Sequence, residues 1–114
     1  MDRTALLARF LDDEALLSEM VTRLLARVPP EVDAMRAASA ARDVEALHRL
    51  AHSLKGSLGL FGPSTAYDVV SRLESVSRNG ELSAAAQELD ALGTSLGHLM
   101  AELRRLVPPA PDPS

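Results

Sequence analysis

The sequence predicts an all-α fold: an antiparallel up-and-down four-helix bundle with a short additional N-terminal helix. Three observations support this fold class. Apolar residues recur three and four positions apart along most of the chain, and no segment shows the period-two alternation of a half-buried strand. Hydrophobic residues make up 46% of the 114 residues but aromatic residues only 3%, so Leu, Val, Ala and Met have to build the core. The predicted helices are joined by short connections, which favours antiparallel neighbours.

The first part of the chain predicts a short helix followed by a long one. Residues 4–10 form the short helix in this interpretation. Asp12 or Asp13 is a suitable N-cap for the long helix, because an Asp side chain accepts hydrogen bonds from backbone N–H groups of the first turn. The inward positions of the long helix recur at helical spacing: Leu16, Leu17, Met20, Val21, Leu24 and Val28.

Two successive prolines, Pro29 and Pro30, are expected to interrupt the long helix. Proline lacks the backbone N–H that a helix interior needs, and its ring crowds the preceding turn. Because proline is tolerated in a first helical turn, the chain is expected to bend and resume at Glu31, with Val32 and Met35 facing inward.

The second part of the chain predicts three further helices. Asp43 is the expected N-cap of the first, which covers residues 44–61 and stops at Gly62 and Pro63. Its inward positions are Val44, Leu47, Ala51, Leu54, Leu58 and Phe61. The second helix carries Ala66, Val69, Val70, Leu73 and Val76 and ends at the turn pair Asn79-Gly80. The third has an inward face of leucines at Leu89, Leu92, Leu96, Leu99, Leu103 and Leu106.

The domain organisation follows from these elements. Residues 1–107 are expected to form one domain. Residues 108–114, PPAPDPS, contain four prolines and cannot join a packed core, so a disordered Pro-rich tail is predicted there.

The composition excludes several classes of function. The chain has no cysteine, which excludes disulfides, thiolate catalysis and Cys-rich zinc sites. The chain has a formal net charge of −4, whereas a nucleic-acid-binding protein is expected to carry a basic patch. No apolar run approaches the roughly 18 residues of a membrane span, and no signal-peptide pattern follows the start. We therefore expect a cytoplasmic domain that contacts neither nucleic acid nor membrane.

One face of the helix predicted at residues 44–61 carries an unusual set of side chains. On a helical wheel His52 lies opposite the apolar face, toward solvent. Gly56 and Gly59 fall within about 40° of His52, and His48 and Lys55 within about 60°. These five residues form what we call the His52 stripe.

The glycines of the stripe favour a partner protein. An interior glycine costs a helix roughly 0.5–1 kcal/mol relative to alanine, and nothing on the solvent side of an isolated bundle offsets that cost. A partner protein that must approach His52 closely would offset this cost. We therefore predict that Gly56, Gly59 and His48 are docking residues. An imidazole is partly uncharged near neutral pH and can accept a phosphoryl group, whose negative charge Lys55 would stabilise.

The chain shows no means of acquiring a phosphoryl group from ATP. It has no Gly-rich phosphate loop, no ATP-binding motif and no acidic cluster to hold Mg²⁺. It is therefore expected to carry a phosphoryl group without being an enzyme, and to have no cofactor of its own.

The segment AHSLKGSLGLFG resembles the signature of histidine phosphotransfer (HPt) domains. In that signature a histidine is followed by a variable residue, Leu, Lys and Gly, and after a gap by an apolar residue and Gly. The matching residues here are His52, Leu54, Lys55, Gly56, Phe61 and Gly62. The resemblance extends to RFLDDEALLSEMV, to RLE at residues 72–74 and to NGEL at residues 79–82, and covers roughly residues 6–106. Pro63 departs from the small residue that many members have.

The resemblance implies a role for His52 in bacterial multistep phosphorelays. His52 would accept a phosphoryl group from a phospho-aspartate on a response-regulator receiver domain and pass it to another receiver. Mg²⁺ would be supplied by the partner receiver. Such domains occur alone or at the C-terminal end of hybrid sensor histidine kinases, so a kinase is a second expected partner. Exposure of the stripe favours a monomer.

Two other interpretations stay open at this point. One is a degenerate HPt domain, a helical interaction module without chemistry. The other is a metal-binding bundle, since His48 and His52 have a spacing able to hold a metal ion. The residues between them supply no ligand and no third ligand is obvious, so no metal site is predicted.

Overall fold

The computed structural model describes residues 2–107, and all regular structure in that range is helical. The helices are α1 Arg3–Arg9, α2 Glu14–Ala40, α3 Val44–Gly59, α4 Thr65–Arg78 and α5 Leu82–Leu106. The predicted all-α fold is confirmed. The predicted tail at residues 108–114 lies outside the described residues. Within residues 2–107, no helix is both long enough and apolar enough to cross a membrane.

Helices α2 to α5 form the bundle. α3 packs against α2 and α4, and α5 packs against α4 and α2, so the four helices close into a ring around one core. Successive helices are joined by the short connections 41–43, 60–64 and 79–81, which makes neighbouring helices antiparallel.

Side-chain caps fix where four of the helices begin. Asp2, Asp13 and Asp43 each accept a hydrogen bond from a backbone N–H of the first turn, over 3.0, 3.0 and 3.1 Å. The Ser64 hydroxyl does the same for α4 over 3.0 Å. Such a cap stabilises a helix by roughly 0.5–2 kcal/mol. Of the two expected cap residues for α2, the structure selects Asp13, while Asp12 adopts a left-handed φ of 56° in the preceding turn.

The predicted inward faces line the core. On α3 and α4 the expected apolar residues are buried except for half-buried Val44 and Val76. On α5 five of the six leucines are buried and Leu106 is half-buried. The core closes at one end with an aromatic pair, Phe10 and Phe61, whose ring centroids lie 5.3 Å apart. Through this contact, Phe10 packs the short N-terminal segment against the bundle.

The predicted interruption at Pro29 and Pro30 is wrong, because α2 continues through both prolines. Each proline removes one helical hydrogen bond, yet its φ is suited to a helix. Both prolines are exposed, so water can reach the helix face on which they lie. Val28 and Met35 are buried on the opposite face, and their packing keeps the two halves of α2 in one helix.

Helix α3 ends at Gly59, two residues before the predicted end at residue 61. The backbone N–H groups of Leu60, Phe61 and Gly62 each bond to a carbonyl three residues earlier, which tightens the last turn. Gly62 then has a φ of 91°, a conformation that glycine adopts at little cost. Arg9 lies directly against this glycine.

Candidate functional site

Helix α3 presents His52 to solvent. The side chain of His52 is 71% exposed, whereas Ala51 and Leu54 on the opposite face are fully buried. This arrangement follows from the spacing of apolar residues along α3, which turns one face of the helix into the core. The imidazole is therefore accessible to a partner molecule.

One ring nitrogen of His52 is held by the neighbouring helix. The Nδ1 atom of His52 lies 3.1 Å from Oε1 of Glu74 on α4. An ionised carboxylate only accepts hydrogen bonds, so we assign the proton of the neutral imidazole to Nδ1, which donates to Glu74. The lone pair then resides on Nε2, the nitrogen that Glu74 does not occupy.

Glu74 is a buried carboxylate surrounded by nitrogen atoms. Only 4% of the residue is exposed. Besides His52, Arg78 approaches Oε1 over 3.2 Å and Lys55 approaches Oε2 over 3.3 Å. Nε2 of His48 lies 3.7 Å from Oε1. A buried charge persists only where it is paired in this way.

These partners keep Glu74 ionised. Burial acts to raise the pKa of its carboxyl group, but the hydrogen bonds and positive charges supplied by His52 and Lys55 outweigh burial, and the pKa falls below its ordinary value of 4.5. At neutral pH the site thus contains a fixed negative charge beneath the exposed imidazole.

The other polar members of the stripe point toward the same carboxylate. His48 is one-third exposed, and its ring lies nearly parallel to that of His52, with 6.4 Å between the centroids. Lys55 is exposed to a similar extent, and its ammonium group faces Glu74. The structure therefore brings His48, His52 and Lys55 together around one residue that is not part of the stripe.

The two glycines of the stripe have different surroundings. A Cβ atom at Gly56 would meet nothing within 4 Å, so the surface beside His52 is open. A Cβ atom at Gly59 would lie 3.4 Å from the ring of Tyr67 on α4. Gly59 thus lies next to α4, at a distance where a Cβ atom would make an ordinary contact, and its docking role stays a prediction.

Sequence reasoning assigned no role to Glu74. A signal was nevertheless present, because Glu74 falls beside Leu73 on the face of α4 that carries Val70 and Ser77 into the core. A charged residue on a buried face requires partners, and the basic side chains of the stripe on α3 were candidates.

The site does not have the form of a metal centre. Among residues 2–107, no three His, Cys, Asp or Glu side chains are arranged to hold a metal ion. Glu74 is the obvious third ligand beside His48 and His52, but Lys55 and Arg78 already lie against its carboxylate. Their positive charges oppose a bound cation.

Comparison with known protein families gives one match. A family model described as the Hpt domain matches residues 19–106, a span that begins within α2 and includes α3, α4 and α5. Comparison with curated proteins and with solved structures gave no significant match. Helix α1 precedes the matched span.

Proposed function

The chain belongs to the Hpt domain family, whose members carry phosphoryl groups in phosphorelays, and from this premise we propose that His52 is the residue that carries the group. The family assignment agrees with the resemblance seen in the sequence. Members of this family interact with receiver and kinase domains and are carriers without a catalytic site of their own.

The proposal rests mainly on the contact between His52 and Glu74. With Nδ1 donating to Oε1 over 3.1 Å, the ring is oriented and Nε2 keeps its lone pair. That lone pair forms the N–P bond while the P–O bond to the receiver aspartate breaks and its electron pair returns to the aspartate carboxylate. The ring retains its Nδ1 proton and gains positive charge, which the Glu74 carboxylate stabilises. Transfer of the phosphoryl group from His52 to a second receiver follows the same steps in reverse.

Lys55 and Gly56 have supporting roles in this proposal. The ammonium group of Lys55 lies one helical turn from His52, where it lowers the electrostatic cost of an arriving phosphoryl group. Gly56 leaves open space beside the imidazole, so the backbone of a receiver can approach it. Gly59 and His48 flank the same surface and complete the proposed docking region.

We further propose that the phosphoryl donors and acceptors are response-regulator receiver domains and that the receiver supplies the Mg²⁺. A sensor histidine kinase would stand upstream, either as a separate protein or as part of a hybrid kinase that includes this domain. Monomeric state and cytoplasmic location stay predictions from the sequence.

A phosphoryl-transfer assay tests the proposal. The protein is incubated with a phosphorylated receiver domain and Mg²⁺, and acid-labile, alkali-stable label is measured on wild type, His52→Ala and His98→Ala. His98 is a matched control, because it is an exposed histidine on α5. We expect label on wild type and His98→Ala and none on His52→Ala. Equal label on all three would disprove the assignment to His52, and receiver binding without label would favour a non-catalytic interaction module.

A further inference from the structure

His48 has a buried nitrogen with no hydrogen bond. Although one-third of its side chain is exposed, its Nε2 atom is buried and has no hydrogen-bond partner within the part of the chain that the structure describes. Buried polar atoms are normally paired, so an unpaired one calls for an explanation. This nitrogen faces the Glu74 carboxylate, whose Oε1 lies 3.7 Å away. This distance is roughly 0.7 Å longer than an ordinary N–H···O hydrogen bond.

The oxygen that His48 faces is the one that holds His52. Oε1 of Glu74 contacts Nδ1 of His52 and a guanidinium nitrogen of Arg78, while Lys55 contacts Oε2. Arg78 is mostly exposed and Lys55 is one-third exposed, and both have long, flexible side chains. Side chains of this kind can follow a carboxylate that moves, so these two contacts alone do not fix the position of Oε1.

Among the side chains around the Glu74 carboxylate, His48 has less conformational freedom than Lys55 and Arg78. An imidazole has only two side-chain torsions, and its ring lies nearly parallel to that of His52 at an interplanar angle of 15°. The ring therefore places Nε2 3.7 Å from Oε1, on the side of the preceding helical turn. His48 differs from Lys55 and Arg78 because its side chain is short and its Nε2 atom is buried. The long side chains of Lys55 and Arg78 can change conformation if the carboxylate moves.

We propose that His48 is a positioning residue for phosphoryl transfer, which acts through Glu74 by keeping Oε1 within hydrogen-bond distance of His52 Nδ1. This inference rests on the proposed function of His52 and adds a role that the docking interpretation of His48 did not include. His48 touches neither the phosphoryl group nor the receiver in this role. It keeps the proton of His52 on Nδ1 and the lone pair on Nε2.

Two variants of His48 separate positioning from packing. His48→Ala removes the restraint on Glu74, whereas His48→Gln retains a polar N–H at a similar reach. We expect His48→Ala to slow phosphoryl transfer roughly threefold to tenfold, in the range of the weaker couplings within one hydrogen-bond network, and His48→Gln to restore most of the rate. His98→Ala is the matched control, because His98 is an exposed histidine on α5 that has no contact with Glu74 among the described residues.

The ring nitrogens of His52 give a readout that does not require transfer. In the intact, unphosphorylated protein at a pH where His52 is neutral, ¹⁵N NMR reports which nitrogen carries the proton. We expect the Nδ1–H form in wild type, His48→Gln and His98→Ala, and a mixture of both forms in His48→Ala. An unchanged tautomer and an unchanged transfer rate in His48→Ala would overturn the proposal.

A double-mutant cycle tests whether His48 acts through Glu74. In a Glu74→Ala background, His48→Ala should have no further effect on the transfer rate, and additive effects would contradict the inference. If Glu74→Ala does not fold by circular dichroism, Glu74→Met takes its place, because Met is of similar length and has no oxygen to accept from Nδ1, and His48→Ala should again have no further effect. A wild-type protein that takes no label would overturn the proposed function and with it the role of His48 in transfer, whereas the NMR result would still show whether His48 holds the carboxylate.

Discussion

Glu74 on α4 reaches across to His52 on α3 through a 3.1 Å contact between Oε1 and Nδ1, although the two residues are 22 positions apart in the sequence. The contact joins a buried carboxylate to an exposed ring. It leaves one imidazole nitrogen engaged and the other accessible, which is the arrangement a phosphoryl carrier needs.

Glu74→Gln should slow phosphoryl transfer to His52 by about five- to tenfold. The amide oxygen can still accept the hydrogen bond from Nδ1, but the bond loses its charge assistance, a difference of roughly 1 kcal/mol. Single-turnover transfer from a phosphorylated receiver measures the effect. Glu88→Gln is the matched control, because Glu88 pairs with Arg72 on a different face of the bundle. A rate equal to that of wild type would show that the negative charge of Glu74 does not assist transfer.

The ionisation of Glu74 should make the stability of the fold depend on pH. Because the pKa of Glu74 is lower in the folded protein than its ordinary value of 4.5, its contribution is fully present above about pH 4.5 and is lost as pH falls through the lower folded value. Urea unfolding at a series of pH values should show a decline in the free energy of unfolding in that acid range. The decline should be smaller in Glu74→Gln, and equal declines would indicate that other carboxylates cause it.

Gly56→Leu should leave the bundle folded and slow transfer at least tenfold. A Cβ atom at residue 56 would have open space around it, so we expect the leucine side chain to project into the space that a receiver must enter. Circular dichroism checks folding, and helix propensity predicts a gain in stability of about 1 kcal/mol. Gly97→Leu on α5 is the control, since a Cβ there also has open space. If both variants transfer at the wild-type rate, the docking surface lies elsewhere.

Gly62→Ala should destabilise the protein more than Gly80→Ala. Both glycines have positive φ values, 91° and 73°, so alanine costs about 1–2 kcal/mol at each position. Only at Gly62 would the new Cβ also come within 2.7 Å of the Nε atom of Arg9. Urea unfolding should therefore give a larger loss for Gly62→Ala, and adding Arg9→Ala should recover the excess. Equal losses in the two alanine variants would mean that Arg9 moves aside without cost.

Local sequence patterns were sufficient to predict the fold. The spacing of leucines on α5 and the cap residues Asp13, Asp43 and the turn pair Asn79-Gly80 are short-range signals, and each marks an element boundary or a buried face in the structure. The exposure of His52 follows from the same spacing, because the helix has a fixed number of residues per turn. These features depend on one helix at a time.

The features that were not predicted depend on packing between helices. Glu74 belongs to the site because α4 lies against α3 in one particular register, and a pattern within α4 alone indicates only that a buried charge needs partners. The continuity of α2 through Pro29 has a similar origin, since burial of Val28 and Met35 outweighs the local preference of proline. Gly59 likewise reflects a neighbour, Tyr67, that lies on another helix.

The contact between the rings of Phe10 and Phe61 has a practical consequence for truncating this protein. Phe10 lies before residue 19, where the match to the family begins, and it covers the end of the core next to Gly62. A chain trimmed to the shared span would expose the Phe61 ring to water and remove the first turn of α2 with its Asp13 cap. We therefore expect a chain of residues 19–106 to be less stable than one of residues 2–107, and truncation studies should retain the N-terminal helix.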